Sequence, residues 1–318
     1  MSLKVAIQMD PVERINPAAD STFVLALEAQ ARGFRLHHYL PRDLNLAGDT
    51  LTAKARPLKA SRGAGAPLAL GPPEILDLAS VDVILMRQDP PFDMAYITAT
   101  HLLEHVSAKV LVVNDPVSVR NAPEKLFATH FTGLMPETLI TSDPASIGAF
   151  RKKHGDIILK PLFGNGGAGV FHLRPEDENL NALLEMFTQF YREPVIAQRY
   201  LPEVRRGDKR IVLVEGEPLG AVLRVPAAGE ARANLHVGGH AQKSPLSKRD
   251  REICAAIGPK LRELGLVFVG IDVIGEYLTE INVTSPTGIQ EINRLEGAKL
   301  EVAVWDAIEA RYRARKRR

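Results

Sequence analysis

The first third of the chain alternates short apolar runs with helical patterns, and that alternation leaves few folds open. Residues 4–9, 34–40, 82–87 and 109–114 read as strands. A helical pattern follows Ser21, a candidate cap, and stops at Gly33; another surrounds residues 97–106. Each strand–helix–strand passage must cross a face of the sheet. The rhythm therefore predicts an α/β fold whose N-terminal part is a mostly parallel, doubly wound sheet covered by helices on both sides. Residues 53–73, rich in Ala, Gly, Pro and Arg, read as a surface loop with room for a short hairpin.

A boundary is expected at Asn121-Ala122-Pro123. Beyond it the pattern predicts a short helix at 124–131, strands at 137–141, 156–161 and 195–200, a helix capped by Asp143, and another at 180–191. Residues 209–214 and 219–225 form a hairpin about Glu215-Gly216-Glu217-Pro218, followed by a long polar loop at 226–242. Loops of that length are often lids. A helix near Cys254, a second hairpin and a C-terminal helix from Glu301 complete the chain.

At 318 residues the chain is long enough for two or three domains. Its net charge is only +2, so no global charge draws it toward nucleic acid or a membrane surface. The basic tail 311–318 reads as a frayed, solvated helix end, where cations complement the helix dipole. No run approaches the ~18 apolar residues needed to span a bilayer, and no cleavable signal pattern opens the chain. The one cysteine, Cys254, shares a helical face with Ile253, Ile257 and Leu261 and reads as a small buried hydrophobe. A lone cysteine forms no internal disulfide, as suits a reducing cytoplasm.

The densest chemistry lies between Gly270 and Gly288. Two apolar runs flank the turn Gly275-Glu276, and folding about it sets Asp272 opposite Thr279 or Glu280. Side chains alternate along a strand, so Glu280 and Asn282 share a face. No Lys or Arg occurs in this segment. Two readings stand at this point: solvated acids on an exposed hairpin, or an oxygen-lined site for Mg²⁺ against substrate phosphates. Upstream, Lys160 ends an apolar strand and precedes Gly164, Gly166, Gly167 and Gly169. Such loops let backbone N–H groups approach an anion, although the spacing fits neither a P-loop nor a dinucleotide fingerprint, and a plain hairpin tip is the alternative. A buried lysine needs a partner. Lys125 taken alone is an exposed helix lysine. Gln198, Tyr200 and Leu201 end a strand at what reads as a hinge. Arg210, Arg224 and Arg232 could clamp an anion or lie solvated. Asp10 and Asp89 follow strands, where open α/β sheets place ligand crevices, but Pro follows each and a turn role is equally open.

Together these elements resemble the prokaryotic glutathione synthetases of the ATP-grasp superfamily along nearly the whole chain. The strings that carry the resemblance include VILMRQDPPFD (83–93), EKL (124–126), DIILKPL (156–162), QRYLP (198–202), GDKRIVLVEGEP (207–218) and LTEINVTSPTGI (278–289). The resemblance implies three parts: a substrate domain at 1–122, a lid subdomain at 123–200 and a mixed-sheet catalytic domain at 201–318. It implies that Lys125, Lys160, the four loop glycines, Gln198, Tyr200, Leu201 and Asp208 bind ATP. Asp272, Glu280 and Asn282 would hold Mg²⁺, with Mn²⁺ able to substitute. Asp10, Ser21, Arg87, Asp89, Arg224, Ser285 and Thr287 would contact the acid and amine substrates, together with the catalytic candidates Arg210 and Arg232. The implied substrates are γ-glutamylcysteine, glycine and ATP, in a cytoplasmic homotetramer or homodimer that binds neither nucleic acid nor membrane. The sequence departs from the familiar pattern in the phosphate loop, LFGNGGAG, at His240 and at Gly288-Ile289-Gln290.

Overall fold

Residues 2–63, 65–164, 166–190, 192–227 and 239–317 are described by the computed structural model. The first part contains β1 (Lys4–Gln8), α1 (Ser21–Ala31), β2 (Arg35–Tyr39), β3 (Leu44–Ala47), β4 (Thr50–Ala60), β5 (Leu68–Leu70), β6 (Glu74–Asp77), β7 (Val83–Met86), α2 (Met94–Ser107), β8 (Leu111–Val113) and α3 (Pro116–Asn121). Its sheet runs β3-β4-β2-β1-β7-β8, with β5 and β6 also paired to β4. β2, β1, β7 and β8 are parallel, as the strand–helix rhythm requires.

The alternation of β1 and β7 builds two layers. Val5, Ile7, Val83 and Leu85 pack on one face with Phe23 and Leu25 of α1. Ala6, Ile84 and Met86 pack on the other with Tyr96, Leu103 and Val106 of α2. Each fully buried large apolar side chain contributes about 1.5–3 kcal/mol.

Two sequence expectations fail here. The stretch read as a loop with room for a short hairpin at 53–73 does hold a hairpin, β4 with β5, but it also contains most of the eleven-residue strand β4, which pairs antiparallel with β2, β3 and β6 as well. Its small Leu51-x-Ala53-x-Ala55 stripe is buried, so the alanines are a strand face rather than loop composition. The sheet is therefore mixed, with an antiparallel extension on a parallel centre. The cap of α1 is Asp20, whose side chain accepts from the Phe23 N–H; Ser21 is the first helical residue.

The middle part contains α4 (Glu124–Ala128), β9 (Thr138–Thr141), α5 (Pro144–His154), β10 (Ile157–Pro161), β11 (Phe171–Leu173), α6 (Leu180–Phe190) and β12 (Val195–Arg199). Its antiparallel sheet, β11-β10-β12-β9, has its own core of Ile147, Ile157, Leu159, Phe187 and Val195. Asp143 caps α5, accepting from the Ala145 and Ser146 N–H groups.

The last part contains β13 (Asp208–Val214), β14 (Glu217–Val225), β15 (His240–Lys243), α7 (Lys248–Glu263), β16 (Phe268–Ile274), β17 (Tyr277–Asn282), α8 (Ile289–Glu296) and α9 (Leu300–Lys316). The antiparallel sheet runs β15-β14-β13-β16-β17. The expected 226–242 loop is shorter than its polarity suggested, because His240–Lys243 pairs with β14. Most of the remainder, 228–238, lies outside the described residues. The basic tail is not frayed: α9 continues to Lys316, Arg311 grips Glu215 through both carboxylate oxygens, and Arg315 donates to the Ser107 carbonyl.

The first and last parts share their cores. Val212, Val222, Phe268, Trp305 and Ile308 join the layer that holds Val5 and Phe23, while Ile211, Val269 and Ile257 join the layer that holds Ala6 and Ile84. The fully buried Trp305 donates its indole N–H to the Leu25 carbonyl at 2.8 Å and stacks edge-on against Phe34. Asn114 donates to the carbonyls of Phe268 and Val283 and accepts from the Phe268 N–H.

Cys254 is buried on α7, and desolvation pushes its thiol up to about 12. Thiolate is the reactive form. Iodoacetamide at pH 8 is accordingly expected to label Cys254 roughly 10²-fold or more slowly than a free cysteine, whose thiol titrates near ~8.5, until denaturant opens the fold. Rapid labelling of the native protein, followed by mass spectrometry, would contradict the burial.

Candidate active site

Hairpin β16–β17 turns where the sequence pattern placed it, and its register sets Asp272 opposite Glu280 and Gly270 opposite Asn282. On the other side of β16, β13 sets Arg210 opposite Asp272, and β14 sets Arg224 opposite Asp208. One row of the sheet thus carries arginines and carboxylates side by side. Arg210 grips Asp272 bidentately, Nε to Oδ1 at 2.6 Å and Nη2 to Oδ2 at 2.9 Å. Arg224 reaches the same Oδ1 at 2.9 Å and also pairs with Asp208. Asn282 donates to Asp272 Oδ2 at 3.1 Å. Gly270 makes this possible, because a Cβ there would stand 3.2 Å from Arg210 Cδ and crowd the side chain.

Glu280 faces the middle part of the chain. Lys125 on α4 lies 3.6 Å from Glu280 Oε1, and Lys160 near the end of β10 lies 3.8 Å from it. Lys125 also pairs with Glu124 and donates to the Gly164 carbonyl at 2.6 Å, which ties it to the start of the glycine loop. Gly166, Gly167 and Gly169 adopt positive φ of 62°, 80° and 70°, so the loop needs glycine at these three places.

The carboxylates of 270–288 are therefore compensated, contrary to the local reading. Their cations come from other strands and a helix. Lys125 is buried rather than exposed, and Arg210 and Arg224 are engaged with carboxylates rather than free.

The charges are tightly poised. Burial alone would raise the Asp272 carboxyl, but Arg210 and Arg224 outweigh it and hold Asp272 well below the usual carboxylate range. Burial pushes Glu124 up to about 7, reinforced by the Glu280 charge and opposed by Lys125. Burial likewise takes Asp208 to about 6 against the pull of Arg224. Desolvation lowers Lys160, whereas for Lys125 the neighbouring Glu280 and Glu124 outweigh desolvation and raise it. Four carboxylates face four cationic side chains. The cluster is close to neutral as it stands, so a polyanion would have to enter with its own cations.

A cavity of about 660 Å³ connects this cluster to the first part of the chain. Asp10, Arg87, Asp89, Lys125, Lys160, Gly164, Gly166, Gly167, Gln198, Tyr200, Leu201, Asp208, Arg210, Arg224, Asp272, Glu280, Asn282, Ser285 and Thr287 all line it, which brings together nearly every residue singled out from the sequence. Ala168 and Val170, rather than Gly169, complete the loop's wall. Ser21 is 1% exposed, with its hydroxyl lacking a hydrogen-bond partner, and Asp20 lines the cavity in its place. Arg232 lies outside the described residues.

Three contributors were missed. Glu124 sits beside Lys125. His172 stacks on Tyr200 with ring centroids 3.9 Å apart, fixed by Asp156 at 2.8 Å. Gln290 donates to the Pro17 and Asp20 carbonyls at 3.1 and 2.6 Å and so fixes the segment that carries Asp20. A period-two count along β11 points His172 to the same face as Ile158 and Gln198 only once the pairing is known.

The donors at 272, 280 and 282 suit an oxygen-seeking divalent cation. Glu280 is held only loosely by its lysines and is the most available oxygen donor of the three, whereas both Asp272 oxygens are engaged by Arg210, with Arg224 and Asn282 beside it. No cluster of three or more His, Cys, Asp or Glu able to hold a metal occurs among the described residues.

Solved structures with this architecture are ATP-grasp ligases. The D-cycloserine synthetase DcsG superposes with a TM-score of 0.69 at 14% identity, covering 97% of this chain and 99% of that one. The ATP-grasp ligase PsnB complexed with minimal precursor, Mg and ADP does so with a TM-score of 0.61 at 16% identity, covering 98% of each. The fold is that of an ATP-grasp ligase.

Residues 3–120 match the N-terminal domain of prokaryotic glutathione synthetase, and residues 124–297 match its ATP-grasp domain. The glutathione synthetase of Brucella melitensis biotype 1 is 58% identical over 98% of this chain and 100% of its own length. That of Pseudomonas aeruginosa is 47% identical over 99% and 100%. The chain belongs to the prokaryotic glutathione synthetase family, ATP-dependent ligases that use a divalent metal. No helix among the described residues is long and apolar enough to cross a membrane.

Proposed function

We propose that this enzyme joins γ-L-glutamyl-L-cysteine to glycine, with ATP as co-substrate, releasing glutathione, ADP and phosphate. The observation that carries the reading is the convergence of two buried lysines, a glycine loop and an Asp–Glu–Asn oxygen set on one cavity, with arginines at its side. A carboxylate is a poor electrophile, so its oxygen first takes the γ-phosphoryl group to give an acylphosphate. That transfer is mostly positioning and charge neutralisation. Lys125, Lys160 and the amides of Gly164, Gly166, Gly167 and Gly169 perform it. Gln198, Tyr200 and Leu201 hold the adenine, with Asp208 at the phosphate end. Asp272, Glu280 and Asn282 would hold Mg²⁺, for which Mn²⁺ could substitute, and the bound metal would offset phosphate charge. The glycine amine then attacks the acyl carbon. Arg210, whose Nη1 lies near Thr287, is positioned to stabilise the tetrahedral oxyanion as phosphate leaves. Arg224, Arg232, Ser285, Thr287, Asp10, Arg87 and Asp89 grip the substrates, and the 226–242 segment excludes water that would hydrolyse the acylphosphate.

The same reading divides the chain at 1–122, 123–200 and 201–318, places it in the cytoplasm and makes it a homodimer or homotetramer. The separate core of the β9–β12 sheet supports the middle boundary. A panel of acids and amines tests the substrate assignment. ADP release is expected only with γ-glutamylcysteine and glycine together. Faster turnover with D-alanine or glutamate as the amine would sink it.

A further inference from the structure

The glycine loop leaves β10 through Phe163, whose ring reaches across to the first part of the chain. Phe163 stacks on Phe92 with centroids 6.2 Å and planes 26° apart, the geometry of an offset aromatic pair. Phe163 belongs to LFGNGGAG, where the sequence departs from the familiar pattern. Gly164, Gly166, Gly167 and Gly169 bring no side chains with which to hold this loop, so its anchorage falls to its ends.

Both rings sit on stiff stems. Pro90 and Pro91 precede Phe92, and proline fixes φ. Asp93 follows and caps α2, accepting from the Tyr96 N–H at 2.9 Å. The buried Tyr96 lies with its ring centroid 5.4 Å from that of Phe92, which packs against the core. On the other side Pro161 ends β10 and Leu162 is buried. The chain then doubles back at Gly164, where a Cβ would stand 2.8 Å from Pro161 Cγ. The Gly164 carbonyl accepts from Lys125 Nζ at 2.6 Å, and Lys125 lies 3.6 Å from Glu280. Position is thus handed from the α2 core through Phe92 and Phe163 to the first glycine of the loop and to the Lys125 ammonium.

We propose that Phe92 and Phe163 are positioning residues for the nucleotide phosphates. Their stack fixes the entry of the glycine loop against the first part of the chain and so places the carbonyl that orients Lys125. Neither ring lines the cavity, so both act through Gly164 and Lys125 rather than on the nucleotide itself. The inference rests on the reading of this loop and Lys125 as the phosphate contacts of ATP. Its signature is selective: the grip on ATP weakens and the amine site is left alone.

The test compares wild type, Phe163→Ala, Phe163→Tyr, Phe92→Leu and the Phe92→Leu, Phe163→Ala pair. Phe163 is 38% exposed, so trimming it opens no buried cavity and the thermal midpoint should hold. Phe163→Ala is expected to raise the KM for ATP about 3- to 10-fold, the size of an aromatic pair's contribution, with the KM for glycine unchanged. Phe163→Tyr keeps the ring and should stay within about 2-fold of the parent. Calorimetric binding of the β,γ-imido analogue of ATP with Mg²⁺ should weaken by the same factor in Phe163→Ala. In the Phe92→Leu background Phe163→Ala should cost nothing further, because contacting residues are not additive. Effects of the two substitutions that simply multiply would overturn the proposal. So would equal rises in both KM values with a lowered thermal midpoint, which would leave the pair a purely structural role. Failure of the wild type to turn over γ-glutamylcysteine with glycine, with the calorimetric cycle still non-additive, would sink the substrate reading and leave the positioning role standing.

Discussion

Glu280→Gln is expected to slow ADP release by about 10²–10³-fold, the range seen when one pre-organised charge contact is removed from a transition state. The side chain keeps its shape, so the hairpin should survive. Glu280 is only partly buried and makes no close ion pair; its lysines stand at 3.6 and 3.8 Å. Losing the charge removes the most available oxygen donor of the proposed metal site and the carboxylate that Lys125 and Lys160 face. Two measurements check this. The metal concentration for half-maximal rate should rise, and the thermal midpoint should stay near the parent's. Full metal-dependent ADP release in the variant would remove Glu280 from the metal set.

Asp272→Asn should act on stability first, with a loss of about 3–5 kcal/mol, as for breaking a buried ion pair from one side. Arg210 and Arg224 both lean on this carboxylate, and all three side chains are buried. An amide leaves Arg210 without its countercharge and Arg224 with Asp208 alone. Denaturant titration of the pair should show a lowered midpoint, partly restored in Asp272→Asn with Arg224→Met, since removing a charge together with its partner is often near neutral. A loss under about 1 kcal/mol would mean that the cluster is solvated enough to tolerate an unpaired arginine.

What the sequence revealed about this site follows the range of its signals. Asp272, Glu280 and Asn282 were legible because a hairpin needs only a turn and a period of two, both local. Their compensation was not. Arg210 meets Asp272 through a pairing 62 residues apart, and Lys125 and Lys160 arrive from a different part of the chain. Charge balance within one segment therefore misled. Strand β4 was lost for a related reason. Its Ala, Arg and Pro content resembles loop composition, and burial of Leu51, Ala53 and Ala55 overrides that propensity. Ser21 and Asp20 differ by one position, and either could cap; the hydrogen bond to Phe23 decides it. Gln290 stands where a different residue is familiar, and only its bonds to Pro17 and Asp20 show what it does.

The shared core has a consequence for biosynthesis. Val5, Phe23 and Leu36 are sealed by Trp305, Ile308 and Tyr312, which are made long after them. At about 5–20 residues per second, the ribosome needs roughly 10–40 s to pass from the end of the first sheet to α9. Through that interval one face of the N-terminal sheet is covered by α1 alone on the nascent chain. The middle part, with a core of its own, can fold while the first part waits. The order of folding is then not the order of synthesis: two segments far apart in the chain close on each other only after α9 has emerged.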